Sequence, residues 1–163
     1  MLIAIISDSH DNLENLKKFI NWSLENKIEK IICLGDVCKI ETIKYLALGF
    51  LGEIFLVRGN ACLYEASELK KYQNIKYYGE IGQEVIGGLK IAFVHEPEKI
   101  KKLTEHDLDF VFYGHSHKPW IEKNGDTFIA NPGTLGGVYY QATFAVLNTE
   151  TRNLELRGLD GLE

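Results

Sequence analysis

The chain of 163 residues has only three cysteines, Cys33, Cys38 and Cys62. An odd number without zinc-finger spacing excludes a disulfide framework and a thiolate zinc module, so all three read as free thiols in a reducing compartment. There is no apolar run long enough to span a bilayer, which excludes a transmembrane helix of ordinary length. The apolar opening, Met1 to Ile6, is too short for a signal-peptide core, no basic region precedes it, and Asp8 follows at once. A cytoplasmic location with no membrane partner is therefore expected. Positive charge is also in deficit: 18 Lys and Arg stand against 23 Asp and Glu, a formal charge of -5. A protein that grips nucleic-acid backbone must replace the counterions around phosphates and usually carries the opposite sign, so no such binding is expected. A small phosphorylated ligand remains compatible, because bound cations reverse the charge locally. Linkers, repeats and low-complexity segments are lacking too, and residues 1–163 read as one domain with a real core.

What is present is a regular alternation of apolar runs and turn signals. Leu2–Ile6 is a continuous apolar run that fits a strand buried on both faces. Asn12 offers a helix cap, and Leu13, Leu16, Phe19, Ile20 and Leu24 follow at helical spacing, so one buried face is expected. Lys30–Leu34 and Glu53–Val57 read as strands on either side of a helix over Ile40–Leu48. Strand–helix–strand–helix–strand order predicts a parallel sheet. The second half changes rhythm. Gly87-Gly88 between Glu84–Ile86 and Lys90–Val94 signals a hairpin, and so does Asn124-Gly125 between Trp120–Glu122 and Thr127–Ala130. Pro97–Leu103 fits a short helix that starts at its proline. Asp109–Tyr113 is a further strand, and Thr143–Leu147 with Asn153–Arg157 forms a third hairpin. The expected class is α/β: a two-layer β-sandwich of mixed sheets flanked by α-helices.

Five of these strands end in residues able to bind metal. Ile5-Ile6-Ser7 leads to Asp8 and His10, Leu34-Gly35 to Asp36, Arg58-Gly59 to Asn60, Phe93-Val94 to His95, and Tyr113-Gly114 to His115 and His117. In open α/β sheets ligand sites gather beyond the carboxyl ends of strands. If the five share a sheet, all seven side chains converge on one rim. Of five histidines only His106 lies away from a strand end, and it is assigned no role. Imidazole, carboxylate and amide oxygen suit Mn, Fe, Ni, Co or Zn. Seven side chains exceed one tetrahedral site and suit two metals, with Asp36 as the natural bridge. Two metals roughly 3.5–4 Å apart can clamp an in-line displacement at phosphorus. Gly35, Gly59 and Gly114 each precede a ligand, where glycine allows a sharp turn or a close approach.

The ordered set Asp8-x-His10, Gly35-Asp36, Gly59-Asn60, His95 and Gly114-His115-Ser116-His117 resembles the calcineurin-like metallophosphoesterases. Asn131-Pro132-Gly133-Thr134 and the short length are similar to the compact YfcE-like branch. The resemblance implies a dinuclear phosphodiesterase or phosphatase acting on small phosphate esters. One metal would be bound by Asp8, His10, Asp36 and His117, and the other by Asp36, Asn60, His95 and His115. A hydroxide between them would attack phosphorus, with Asp36, Asn60 and His95 as the catalytic residues. Relatives of this size also form homodimers.

The sequence departs from the family pattern twice. The histidine that commonly follows Gly-Asn, and that assists the leaving group or holds the phosphate, is Ala61 here. That predicts a bias toward esters with good leaving groups. His95 is followed by Glu96-Pro97 rather than glycine, which adds negative charge and stiffens the turn. A retromer subunit of vacuolar sorting resembles the same fold and binds partner proteins with an eroded metal site. A catalytically weak scaffold is accordingly the alternative function. Arg58 reads equally as a phosphate contact or a solvated charge. Cys38 and Cys62 read as small buried hydrophobes, and Trp120, Tyr139 and Tyr140 as core or interface residues.

Overall fold

The computed structural model describes residues 1–103 and 107–161; His106 lies outside the described residues. The first strand, β1 (Leu2–Ile6), runs parallel to β2 (Lys30–Cys33), which pairs in parallel with β3 (Glu53–Leu56). Helices α1 (Leu13–Glu25) and α2 (Ile40–Gly49) provide the crossovers. Two short elements escaped the sequence patterns. One is the single-turn α3 (Ala66–Leu69), held by a reciprocal Glu65–Glu68 capping box; the other is the three-residue strand β4 (Ile75–Tyr77) at the sheet edge.

The hairpin of β5 (Ile81–Ile86) and β6 (Leu89–Val94) turns on Gly87 and Gly88, both at positive φ, as a two-residue turn with that twist demands. A 3₁₀ helix (Pro97–Lys102) follows, and β7 (Phe110–Phe112) pairs in parallel with β6. In the hairpin of β8 (Trp120–Asn124) and β9 (Thr127–Asn131) the register opposes Asn124 to Thr127. The turn is therefore Gly125-Asp126, one residue beyond the expected pair. The chain closes with β10 (Thr143–Asn148) and β11 (Asn153–Gly158), antiparallel to one another.

These strands form two mixed sheets, ordered β11-β10-β1-β2-β3-β4 and β5-β6-β7-β9-β8. The five ligand-bearing strands therefore do not share one sheet. β1, β2 and β3 lie in one and β6 and β7 in the other. Side-chain alternation along β1 explains why two layers form. Ile3 and Ile5 pack between the sheets with Phe93, Phe110 and Phe112, while Ala4 and Ile6 face the helices with Leu16, Phe19 and Leu46. A smaller cluster, Ala92, Val94, Val111 and Ile129 with Leu103, seals the outer face of the second sheet.

Helix α1 starts where expected, the Asn12 side chain accepting the Asn15 N–H at 3.1 Å. Its buried stripe is Leu16, Phe19, Ile20 and Ser23, with Leu13 and Leu24 about half exposed. At about 100° per residue both leucines fall on one flank of the stripe rather than its centre. Ser23 is central instead and satisfies its hydroxyl on the Phe19 carbonyl at 2.8 Å. Among the described residues no helix is long and apolar enough to cross a membrane.

Candidate metal centre

The carboxyl ends of both sheets meet at one rim and bring all seven residues together. Asp8, Asp36, His95 and His117 are buried there, while Asn60 and His115 are exposed. Five of the seven, Asp8, His10, Asp36, His115 and His117, have φ between 43° and 67°. The left-handed region is uncommon for any residue with a Cβ, although Asp and His enter it more readily than most, and it persists where surrounding contacts impose it. The segments after β1, β2 and β7 pass through such residues, while Asn60 after β3 and His95 after β6 do not.

Glycine makes the close packing feasible, though not always as expected. Gly35 does supply a positive φ of 99°. Gly59 and Gly114 supply room. A Cβ on Gly59 would lie 2.0 Å from Asp36 Oδ1, and one on Gly114 would lie 2.0 Å from Ser7 Oγ and 3.0 Å from Asp8 Oδ2.

The side chains converge as two groups. In the first, His10 Nε2 and His117 Nε2 are 3.2 Å apart, and Asp8 Oδ1 lies 3.7 and 3.2 Å from them. In the second, Asn60 Oδ1 sits 2.9 Å from His95 Nε2 and 2.8 Å from His115 Nδ1. Asp36 Oδ2 belongs to both, 3.9 Å from His10 Nε2 and 3.4 Å from His95 Nε2.

Each carboxylate has one oxygen fixed by the protein and one turned inward. Asp8 Oδ2 accepts from Ser7 Oγ and the His115 N–H. Among the described residues, buried Asp8 Oδ1 accepts no hydrogen bond. Asp36 Oδ1 accepts from the Ala61 N–H at 2.8 Å. The imidazoles are fixed likewise. His95 Nδ1 is 2.7 Å from the Leu34 carbonyl and His117 Nδ1 is 3.1 Å from the Val138 carbonyl. A carbonyl only accepts, so Nδ1 carries the proton and Nε2 turns a lone pair inward.

This arrangement fits divalent cations. The orphaned Asp8 oxygen, the lone pairs of His95 and His117 and the Asn60 oxygen crowd acceptor against acceptor, which needs positive charge in their midst. Asp8 with His10 and His117, and Asp8 with Asp36 and His95, both have their ligand atoms within 4.8 Å of one another. The electrostatics agree. For His10 the nearby Asp8 carboxylate raises the imidazole pKa, aided by the charge of Asp36, against the opposing effect of burial. Burial would lower that of His95, yet Asp36, Asp8 and the Leu34 carbonyl raise it above its ordinary value. Burial would raise the Asp36 carboxyl, but His95, the Ala61 N–H and His10 hold it below the usual range.

The surroundings sort the remaining residues. Cys62 turns into the helix-side core, its Sγ 3.5 Å from the Tyr64 hydroxyl. Cys38 is half-buried with Sγ 3.9 Å from His10 Nδ1, and burial followed by Asp11 and Asp36 pushes its thiol up to about 11, so it stays neutral. A hydrogen bond with Tyr77 raises the Arg58 guanidinium further above neutrality. Glu96 pairs with Lys99 at 3.0 Å. Trp120 and Tyr140 are nearly half exposed and Tyr139 is 90% exposed, so none of the three belongs to the core.

Sequence patterns missed the braces behind the ligands. The Thr134 hydroxyl donates to the Asp8 carbonyl at 2.8 Å. Buried Asn131 donates to the Gly114 carbonyl at 2.9 Å and Ser116 Oγ at 3.0 Å. Their Asn-Pro-Gly-Thr segment was visible as a motif, but its contacts reach across the chain.

Comparison with known proteins agrees with this geometry. The domain model of the calcineurin-like phosphoesterase superfamily matches residues 1–152. A phosphodiesterase of Methanocaldococcus jannaschii is 29% identical over 160 residues, covering 93% of this chain and 95% of its own length. The solved structure of an archaeal phosphodiesterase superposes with a TM-score of 0.88 at 26% identity, covering 97% of this chain and 99% of the other. Vacuolar protein sorting-associated protein 29 of Schizosaccharomyces pombe is 28% identical over 149 residues, covering 84% of this chain and 73% of its own.

Proposed function

The chain belongs to the calcineurin-like phosphoesterase superfamily, and from that premise we propose that it is a metal-dependent phosphodiesterase hydrolysing small phosphate esters at a dinuclear centre. Its ligands are Asp8, His10, Asp36, Asn60, His95, His115 and His117. The observation that carries this reading is the position of Asp36 Oδ2, within 3.9 Å of the first histidine group and 3.4 Å of the second. One oxygen facing both groups is what a bridging carboxylate requires. Two divalent transition-metal ions, Mn, Ni, Fe, Co or Zn by donor type, would supply Lewis acidity and an activated water for in-line displacement at phosphorus.

The chain's own part is positional. Asp8 and Asp36 are tied at one oxygen by Ser7, the His115 N–H and the Ala61 N–H, and present the other inward. The Leu34 and Val138 carbonyls hold the Nδ1 protons of His95 and His117 and fix both rings as neutral donors of a lone pair. Asn60 contributes a neutral oxygen beside two neutral imidazoles, which limits the negative charge that faces an anionic ester. Ala61 offers a backbone N–H to Asp36 and no acid of its own. Leaving groups that depart without a proton are therefore favoured.

The test joins metal analysis to turnover of bis(p-nitrophenyl) phosphate with added Mn, Ni or Co. Asp36→Asn and His117→Ala should lose both bound metal and turnover. An active wild type whose Asp36→Asn variant keeps full activity refutes the dinuclear reading. Equal rates on alkyl and nitrophenyl diesters contradict the leaving-group bias. A second reading, a scaffold that binds partner proteins, is favoured by the likeness to the vacuolar sorting protein. Full metal occupancy without turnover would select it.

A further inference from the structure

We propose that Tyr139 is a specificity-determining residue, its ring the platform on which the planar aromatic or heterocyclic group of a small phosphate ester stacks beside the metal centre. This rests on the phosphodiesterase reading given above.

Tyr139 is 90% exposed, yet its backbone sits at a φ of 65°. A bulky side chain is disfavoured in that region, where glycine or asparagine fits without strain. Strain of this kind persists when burial or bonding offsets it. A ring with nine-tenths of its surface in water gains little from burial, so the side chain does little for the fold.

Its position, however, is tightly referenced to the ligands. The ring centroid lies 5.6 Å from that of His117, tilted by 41°. The preceding residue, Val138, accepts the His117 Nδ1 proton. Upstream, the Leu135 N–H donates to the Ser7 carbonyl at 2.8 Å and the Gly136 N–H to the Asp8 carbonyl at 3.0 Å. Asn12 and Asn15 donate to the Gly136 and Leu135 carbonyls at 3.0 and 2.9 Å. The segment that displays Tyr139 is thus anchored to the same strand end that carries Asp8 and His10.

An ester whose phosphate is engaged beside His117 would have this ring within reach of its organic group. An exposed phenol ring offers a π face and apolar edges, which select a flat apolar group over a small alkyl one. The deficit of positive charge, -5 overall, disfavours a polymeric nucleic acid as the source of that ring. A free small ester remains.

Calorimetry on the metal-loaded protein tests this without turnover, with phenylphosphonate and methylphosphonate as probes. The wild type should bind phenylphosphonate roughly five- to tenfold more tightly, in line with one stacked ring. Tyr139→Phe should keep that ratio. Tyr139→Ala and Tyr139→Asn should bring it close to one, and Tyr139→Asn should melt no lower than wild type, because asparagine accepts the same φ. A wild-type ratio near one overturns the proposal. So does an unchanged ratio in Tyr139→Ala, or an equal weakening of both probes. Wild-type turnover of phenyl p-nitrophenyl phosphate is read separately. Its absence alongside an intact binding ratio would count against the phosphodiesterase reading alone.

Discussion

Gly59→Ala should disable the proposed metal centre without replacing any of its proposed ligands. The added Cβ would lie 2.0 Å from Asp36 Oδ1 and 2.2 Å from the Asp36 backbone nitrogen. Carbon and oxygen in contact need more than 3 Å, so Asp36 must retreat by about 1 Å. Two losses follow. The Ala61 N–H bond to Asp36 Oδ1, now 2.8 Å, is a charge-assisted bond worth about 1.5–3 kcal/mol. Overpacking of a close-packed site costs about 1–3 kcal/mol. Because the two overlap, a net destabilisation of about 3 kcal/mol is expected, which lowers Tm by roughly 6–12 °C for a chain of this length. Metal affinity should fall as well, since Asp36 Oδ2 moves with its carboxylate. Gly88→Ala is the control. Its φ is 82° and nothing lies within 4 Å of its added Cβ, so only backbone strain of about 1 kcal/mol applies. Thermal melting and metal titration calorimetry read both effects. A Gly59→Ala protein that melts within about 2 °C of wild type and binds metal normally would refute the reasoning.

Two further outcomes follow from the supports around the site. Asn131→Ala removes donors from the Gly114 carbonyl and Ser116 and the acceptor of the Gly133 N–H, all at a fully buried residue. It should cost about 2–4 kcal/mol and weaken metal binding through His115 and His117; an unchanged melting curve would contradict it. Asp109 joins the two halves, accepting from the Lys90 N–H and from Arg152 in the β10–β11 turn. Burial opposes ionisation there, but these partners hold its carboxyl below the usual range. A depressed folded-state pKa contributes stability that is present above the ordinary carboxylate value and is lost as pH falls through the folded value. Asp109→Asn should therefore melt about 2 °C lower at pH 7, and the gap should close toward pH 3. A gap that widens on acidification would overturn the sign.

Much of the architecture follows from local pattern. Continuous apolar runs at β1, β2 and β3 marked buried strands because both faces of their sheet are covered, by helices on one side and by the second sheet on the other. Asn12 capped α1 because its side chain reaches the Asn15 N–H three residues on, a purely local contact. β4 and α3 were missed because three and four residues are too few for a period to emerge. Their existence depends on an edge of β3 and on a charged capping box.

By itself, the sequence determined which side chains are the candidate ligands and the order in which strands deliver them. Residue type and position after a strand are properties of the local chain. Only the tertiary structure decided that those strands are divided between two sheets whose carboxyl ends meet. Asn60 meets His95 across 35 residues and Thr134 meets Asp8 across 126, distances over which no periodicity carries information. The same holds for Tyr139. As letters it was one of a tyrosine pair suited to a core or an interface. Its placement against His117, exposed and at positive φ, is set by how the segment before it is tied to the Asp8 strand end.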